Sequence, residues 1–364
     1  MLVSSEAPCV RRDPRVDSLK GILIVMVVIG HVVLRWAHRE PLFEFVYWLI
    51  YLVHMPAFAF TSGLVISNPA SSARRAIGSL APVYLGLSVL HVFIRAIEVP
   101  GDHGIQWEIL WRPGLLWYLL ALMVWQLVLP AITRLKRWVA LTGAVFASLG
   151  VGFVEGLDKD FSISRIIVFL PFFLAGHYVG LPGFQRLAQA VSGRRWRTVL
   201  PAVTVVALAA FFTVDERFRI SQLTGQKPYW DTGDELWYGL IVRICVIVCT
   251  SIFIVALVAI IPQDHCHATL WGRRSMAIYV FHLYVVYLLD WFKGDVHSVT
   301  AMILLALIWT VLAVRITGSR LAMRLLDLIS AALMRAWDVV VTRPVVAVFR
   351  RLTRSIGQAP TSVG

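Results

Sequence analysis

Lys20 and His31 stand eleven residues apart in DSLKGILIVMVVIGH (17–31), with only apolar residues and glycine between them. On an α-helix, eleven residues rise about 16 Å and return to within about 20° of the same face. One stripe would then carry an ammonium at its start and an imidazole near mid-depth of a membrane. Asp17, fourteen residues before His31, falls about 40° off that stripe. An amine at a membrane surface holds an anion or snorkels to head groups. An imidazole titrates near neutral pH, so it can serve as a general base or as a nucleophile, or simply hydrogen-bond to a neighbouring helix. Gly30 is expected to leave room for a ligand beside the ring. Asp17 holds Lys20 or Arg75 in place, or caps the first turn.

The other ionisable side chains inside apolar runs are His54, His91, His177, His282 and Arg243. Each costs several kcal/mol at mid-membrane unless paired or hydrated, which makes each a functional candidate by default. His54 and His282 lie roughly 16–21 Å from their own membrane entries by the helical rise, a depth similar to that of His31. They read as orienters of that base, as contacts to an acceptor, or as structural hydrogen bonders. His91 and His177 read as structural, and Arg243 as snorkelling near the outer end of its span. The cluster 264-DHCH-267 has adjacent ligands and no second half elsewhere, which is poor chelation geometry, so no metal site is expected. P-loop, GxGxxG and G-x-S-x-G patterns in suitable context are absent from the sequence.

The elements that must position these side chains are membrane spans. The 364 residues are 59% hydrophobic and 15% charged, with a mean hydropathy of +0.75, whereas soluble domains carry about 25% charged residues. Ten apolar stretches approach the roughly 20 residues that cross a bilayer: 19–36, 43–66, 76–96, 114–132, 138–154, 163–181, 198–213, 237–261, 269–291 and 299–317. Pro56, Pro82 and Pro171 interrupt three of them. The fold class is therefore an all-α membrane protein, a polytopic bundle of about ten transmembrane helices.

With the N-terminus inside, each inner segment is basic, from Arg11, Arg12 and Arg15 to Arg273 and Arg274, and eight arginines follow residue 314. The outer loops are mixed in sign and hold most of the acids. Both termini are expected to be cytoplasmic. Residues 1–18 form a basic segment ahead of an uncleaved anchor helix. Residues 19–318 form the membrane domain, and residues 319–364 an amphipathic helix and basic tail. In that helix Arg320, Arg324, Asp327, Arg335 and Asp338 fall within about 80°, which suits an interfacial helix on an anionic inner leaflet, ended by Pro344. The net charge of +13 suits lipid head groups or an anionic small molecule. A nucleic-acid partner would need a basic face with readout residues, which the sequence lacks. Cys9, Cys245, Cys249 and Cys266 have no framework spacing and read as thiols.

RVDSLKGILIVMVVIGHV (15–32), with its basic residue eleven positions before a histidine, resembles the most specific signature of acyltransferase family 3, the membrane-bound O-acyltransferases that modify sugars. The fucose 4-O-acetylase-like branch is the most similar. The resemblance continues, in order, through VHMPAFAFTSGLVIS (53–67), ARRAIGSLAPVYLG (73–86), LLWYLLALMVWQLVLP (115–130), RIIVFLPFFLAGHYVG (165–180) and SMAIYVFHLYVV (275–286). Two positions depart from the pattern. The family's R-x-x-R is here the adjacent pair Arg74–Arg75, and Lys20 stands where arginine is common, which keeps the charge but loses bidentate phosphate recognition.

The resemblance implies transfer of an acyl group, usually acetyl, from acyl-coenzyme A to a sugar hydroxyl at the inner membrane, with acetyl-CoA as a donor substrate and no permanently bound cofactor. It implies His31 as the catalytic base or acyl carrier. The coenzyme A phosphates would lie on Lys20, Arg74 and Arg75, with Asp17 beside them, and the about 16 Å to His31 is of the order of the donor's arm. His54, Trp117, Tyr118, Arg165 and His282 would then face the carbohydrate or glycolipid acceptor. Trp117 and Tyr118 also fit an aromatic belt, and Arg165 also fits a contact to a lipid head group. The alternative of another class is a proton-coupled transporter or flippase using the histidines as a relay. That reading predicts inverted repeats and acids at mid-membrane, which the sequence lacks.

Overall fold

The computed structural model describes residues 13–98, 111–157, 160–214, 220–232, 236–262, 266–290, 296–344 and 346–347. Among them every regular element is a helix. Three start on a proline at the first helical position, where its missing N–H is no loss. Helix α1 (Pro14–Ala37) is capped by Asp13, whose carboxylate accepts from the Arg15 N–H at 2.8 Å. Helix α2 (Pro41–Leu64) follows after a short turn. Helix α3 (Pro69–Arg75) is capped by Asn68, which accepts from the Ser71 N–H at 2.9 Å. It widens through a π turn at Ala76–Leu80 into α4 (Ala81–Glu98). Pro82 has no N–H to continue a regular α pattern at that junction, and the wider turn accommodates it.

The chain continues as α5 (Trp117–Ile132), α6 (Arg137–Gly150), α7 (Ile163–Ala190), α8 (Arg194–Val214), α9 (Ile220–Thr224), α10 (Leu236–Ile260), α11 (His267–Arg273), α12 (Ser275–Asp290), α13 (Val299–Thr317) and α14 (Arg320–Trp337). Within α7 the helix breaks at Gly180, where φ is 58° and ψ 177°, a conformation open only to glycine. Pro182 starts the second segment, so the apolar part of α7 ends where the expected span 163–181 ends.

Each of the ten apolar stretches is helical over most of its described residues, 269–291 as two helices, α11 and α12. Six helical stretches are long and apolar enough to cross a membrane: Pro14–Ala37, Pro41–Leu64, Pro69–Ile94, Asp160–Ala190, Leu236–Ile260 and Val299–Thr317. Trp117–Ile132, Arg137–Phe153 and Ser275–Leu288 are shorter apolar helices. Helix α8 has 21 residues, but arginines 194, 195 and 197 fill its first turn. Leu304, Leu307, Ile308 and Val311 of α13, and Trp237, Ile241 and Val248 of α10, are exposed, while His54, His282 and Arg243 are buried. Apolar outside with polar groups inside is the arrangement of a protein whose solvent is lipid.

The chain forms two compact units. The first comprises residues up to Ser67 and Thr133–Met323. In it α2 packs along α7, and α1 along α11 and α2. Both long crossings use small residues to let backbones meet. A Cβ at Gly21 would lie 1.8 Å from the Ala268 carbonyl oxygen, and one at Gly272 1.7 Å from that of Asp17. At the α2–α7 crossing, a Cβ at Gly63 would lie 2.0 Å from the Phe173 oxygen and one at Gly176 1.9 Å from that of Phe60. Between α1 and α11 the hydroxyls of Ser18 and Thr269 also share a hydrogen bond of 2.8 Å.

The second unit comprises Asn68–Ile132 and the chain from Arg324. There α3 packs on α5, and the Ser72 hydroxyl donates to Gln126 Oε1 at 2.7 Å. Leu333 of α14 lies against Gly86 of α4. Along α14, Leu321, Leu325 and Leu328 remain exposed. The segment after residue 347 lies outside the described residues.

Candidate active site

The unbroken α1 carries both Lys20 and His31, so the eleven-residue spacing is a real axial distance of about 16 Å. One turn beyond His31, the Arg35 guanidinium donates to the Val286 carbonyl at 2.7 Å and stacks 4.8 Å from the Trp309 ring centroid. Trp36 stacks on Trp309 as well, 5.7 Å between centroids. These contacts hold α1 against α12 and α13 at the depth of His31. Sequence reading missed Arg35, whose position at the end of an apolar run looks like an ordinary boundary charge.

His31, His54 and His282 converge from three helices. The rings of His31 and His282 are 5.1 Å apart between centroids and tilted by 45°. His54 lies near enough to interact electrostatically with both. His282 is fully buried and His54 is 4% exposed, whereas His31 is half-buried. His54 Nδ1 is 2.6 Å from the Ile50 carbonyl oxygen. His282 Nδ1 is 3.0 Å from that of Ile278 and 2.8 Å from that of Tyr279. Both rings are thereby tied to their own helices. His31 makes no such backbone bond among the described residues, so it is the imidazole left to exchange a proton with something else.

Tyrosines extend this cluster. Tyr51 stands edge-on to His54 at 4.8 Å and Tyr47 lies 4.1 Å from Tyr51, while Tyr279 lies 6.3 Å from His282. The Arg165 guanidinium interacts electrostatically with Tyr47, Tyr51 and Tyr279 and donates to Gln226 Oε1. The structure therefore brings Arg165, expected near an acceptor, to the same cluster as the histidines. The tyrosines and Gln226 were not singled out from the sequence. Aromatic residues are too common in membrane spans for their spacing to signal a site.

Three expectations change. The space beside Gly30 is filled: a Cβ there would lie 3.1 Å from Ile50 Cγ2 and 3.3 Å from Tyr51 Cε2. The glycine brings α2, with Tyr51, close to α1 and leaves no ligand slot there. The cap of α1 is Asp13, and Asp17 accepts from Arg273 Nε at 3.3 Å, a partner from α11 that proximity in sequence does not suggest. Arg243 does not snorkel. It is 4% exposed, donates to the Ser148 carbonyl at 3.3 Å and lies 5.0 Å from the Tyr229 ring centroid. Tyr229 in turn donates to the Leu149 carbonyl at 2.8 Å, so the pair fastens the 229–232 turn and α10 to the end of α6.

Arg74, Arg75, Trp117 and Tyr118 belong to the second unit. Arg74 and Arg75 are exposed at the end of α3. Trp117 opens α5 with its ring 5.9 Å from that of Tyr118. Tyr118 is 9% exposed and packs edge-on to Trp125 at 6.0 Å, a packing role within the unit. His177, read as structural, lies with Nδ1 3.1 Å from the Ile66 carbonyl oxygen. Of the DHCH cluster, Asp264 and His265 fall outside the described residues, and Cys266 and His267 begin α11.

No curated protein and no solved structure matches the chain. Residues 13–317 match the acyltransferase domain of acyltransferase family 3. That range takes in α1 with Lys20 and His31, both other histidines of the cluster, and every helix through α13, and on it this chain is a member of acyltransferase family 3.

Proposed function

We propose that this protein transfers an acyl group, in the first instance acetyl, from acyl-coenzyme A to a hydroxyl of a sugar, polysaccharide or cell-envelope glycolipid. His31 acts as the general base. The observation that carries this reading is the imidazole cluster, in which only His31 lacks a backbone bond that fixes its proton. His31 takes the proton of the acceptor hydroxyl as its oxygen attacks the thioester carbonyl. The carbon–sulfur bond then breaks, and the proton passes from His31 to the departing thiolate. Lys20, at the N-terminal end of the same helix, holds the donor's phosphates, and the arm of coenzyme A spans the distance along α1 to His31. The protein works in the cell inner membrane with both termini cytoplasmic, so that donor arrives from the cytoplasm.

Two measurements test the reading. Membrane vesicles supplied with radiolabelled acetyl-CoA on the cytoplasmic face should label glycan or glycolipid, and supply from the opposite face should not. The variants His31→Ala and His31→Gln should insert and fold but lose transfer by about 100-fold or more. Wild-type turnover in either variant would remove His31 from the chemistry.

A further inference from the structure

His282 lies on α12 with its whole side chain out of reach of solvent. Its Nδ1 faces the carbonyl oxygens of Ile278 and Tyr279 at 3.0 and 2.8 Å. Carbonyls only accept, so Nδ1 carries the proton, and in the neutral ring Nε2 is left as a lone pair. That Nε2 is buried and has no hydrogen-bond partner among the described residues. Unpaired buried polar atoms are rare in native proteins because each forfeits its hydration, about 1–3 kcal/mol. The ring that carries this atom lies 5.1 Å from that of His31 between centroids.

We propose that His282 is a positioning residue whose Nε2 accepts an N–H from His31. Resting on the reading of His31 as base, this determines which nitrogen of His31 works. The nitrogen facing His282 holds a proton, and the opposite nitrogen presents its lone pair to the acceptor hydroxyl. When the hydroxyl's O–H bond breaks and its oxygen bonds to the acyl carbon, the proton goes to that outer nitrogen. The resulting imidazolium keeps its inner N–H on His282 Nε2 until the outer proton leaves with the coenzyme A thiolate. A carboxylate often holds a catalytic imidazole in this way. Inside a membrane a buried carboxylate is costly to desolvate, and a neutral imidazole with its tautomer locked by its own helix offers the same acceptor without the charge. His54, tied to the Ile50 carbonyl through the same kind of bond at 2.6 Å, has the same tautomer but does not share ring contact with His31.

The test uses full-length protein in membrane vesicles with radiolabelled acetyl-CoA, reading label in the glycan fraction and titrating the donor. His282→Leu should lower kcat by about 100-fold while KM for acetyl-CoA stays within about threefold. His282→Gln, whose amide oxygen reaches the position of Nε2, should recover to within about tenfold of wild type. His282→Asn, whose shorter amide keeps the bond to the helix backbone but cannot reach His31, should resemble the leucine variant in kcat and wild type in thermal unfolding. If the leucine variant does not fold, the Gln and Asn pair decides the question. Near-wild-type kcat in His282→Leu or His282→Asn, or a folded Gln variant as inactive as Asn, overturns the proposal. Activity in His31→Ala would instead overturn the reading on which it rests, so the two failures are distinguishable.

Discussion

At the scale of residues, the site depends on which charges and proton carriers are already committed to a partner. Asp17 is committed to Arg273, although Arg273 is 47% exposed and Asp17 11%, so the pair is worth about 1 kcal/mol or less. Asp17→Asn and Arg273→Gln should each lower thermal stability slightly, and the double variant should be no worse than either single one. A rise in KM for acetyl-CoA confined to Asp17→Asn would instead place the carboxylate at the donor. For Lys20 the proposal adds the phosphates of the donor as a partner. Lys20→Ala should raise KM for acetyl-CoA about 10- to 100-fold, the equivalent of one charge-assisted bond of about 1.5–3 kcal/mol, with kcat changed much less. Lys20→Arg should hold KM near wild type, and donor titration on the purified protein separates the cases. Lys20 and His31 were recognisable in sequence because their spacing is a property of one helix. Tyr51, Arg165 and Gln226 were not recognisable as neighbours, because they come from separate segments and each has an ordinary explanation by itself.

At the scale of elements, α1 meets α11 and α2 meets α7 more closely than side-chain packing normally permits. Gly63 and Gly176 set the α2–α7 crossing by backbone contact. Gly176→Val would drive two methyl groups and a Cβ into the Phe60 carbonyl, where no flexible side chain can yield. The cost exceeds the about 1–3 kcal/mol typical of overpacking among side chains. The expected result is loss of a monodisperse peak on size-exclusion chromatography, or a clear fall in unfolding temperature, together with lost activity. Gly143→Ala on α6, where a Cβ meets nothing within 4 Å, should leave both unchanged. The helices themselves followed from the sequence with small shifts. Their ends were not read from the sequence: three helices start on proline, Asp13 and Asn68 cap two of these, and α7 breaks at Gly180.

For the whole molecule, lipid contact determines what is outside and basic residues determine orientation. Six stretches are apolar and long enough to cross by length and composition, and the ten-span reading adds α5, α6, α8 and α12. The two counts share an even number of crossings, so reporter fusions at the N- and C-termini should report the same cytoplasmic face. Fusions after α1 and α2 should report opposite faces. Termini on opposite sides would mean that one of the four additional stretches is counted wrongly. The exposed Leu321, Leu325 and Leu328 of α14 beside its arginines fit a helix lying on an anionic leaflet. Leu325→Asp should weaken protection of this segment from protease in anionic vesicles without unfolding the protein.

What the sequence alone determined was whatever depends on neighbours along the chain: hydropathy, helix starts, the single stripe of Lys20 and His31, and the ordered motifs of the family. Tertiary structure alone decided which of several buried histidines touches His31, that Asp17 faces Arg273, that Gly30 is a packing contact, and that Arg243 is buried. The physical reason is the period of the helix. It places residues along one helix face without any knowledge of the fold, but contacts between helices depend on crossing points set by small residues and backbone approach. Beside the imidazole proposed to do the chemistry lies His282 Nε2, a buried nitrogen with no hydrogen-bond partner among the described residues.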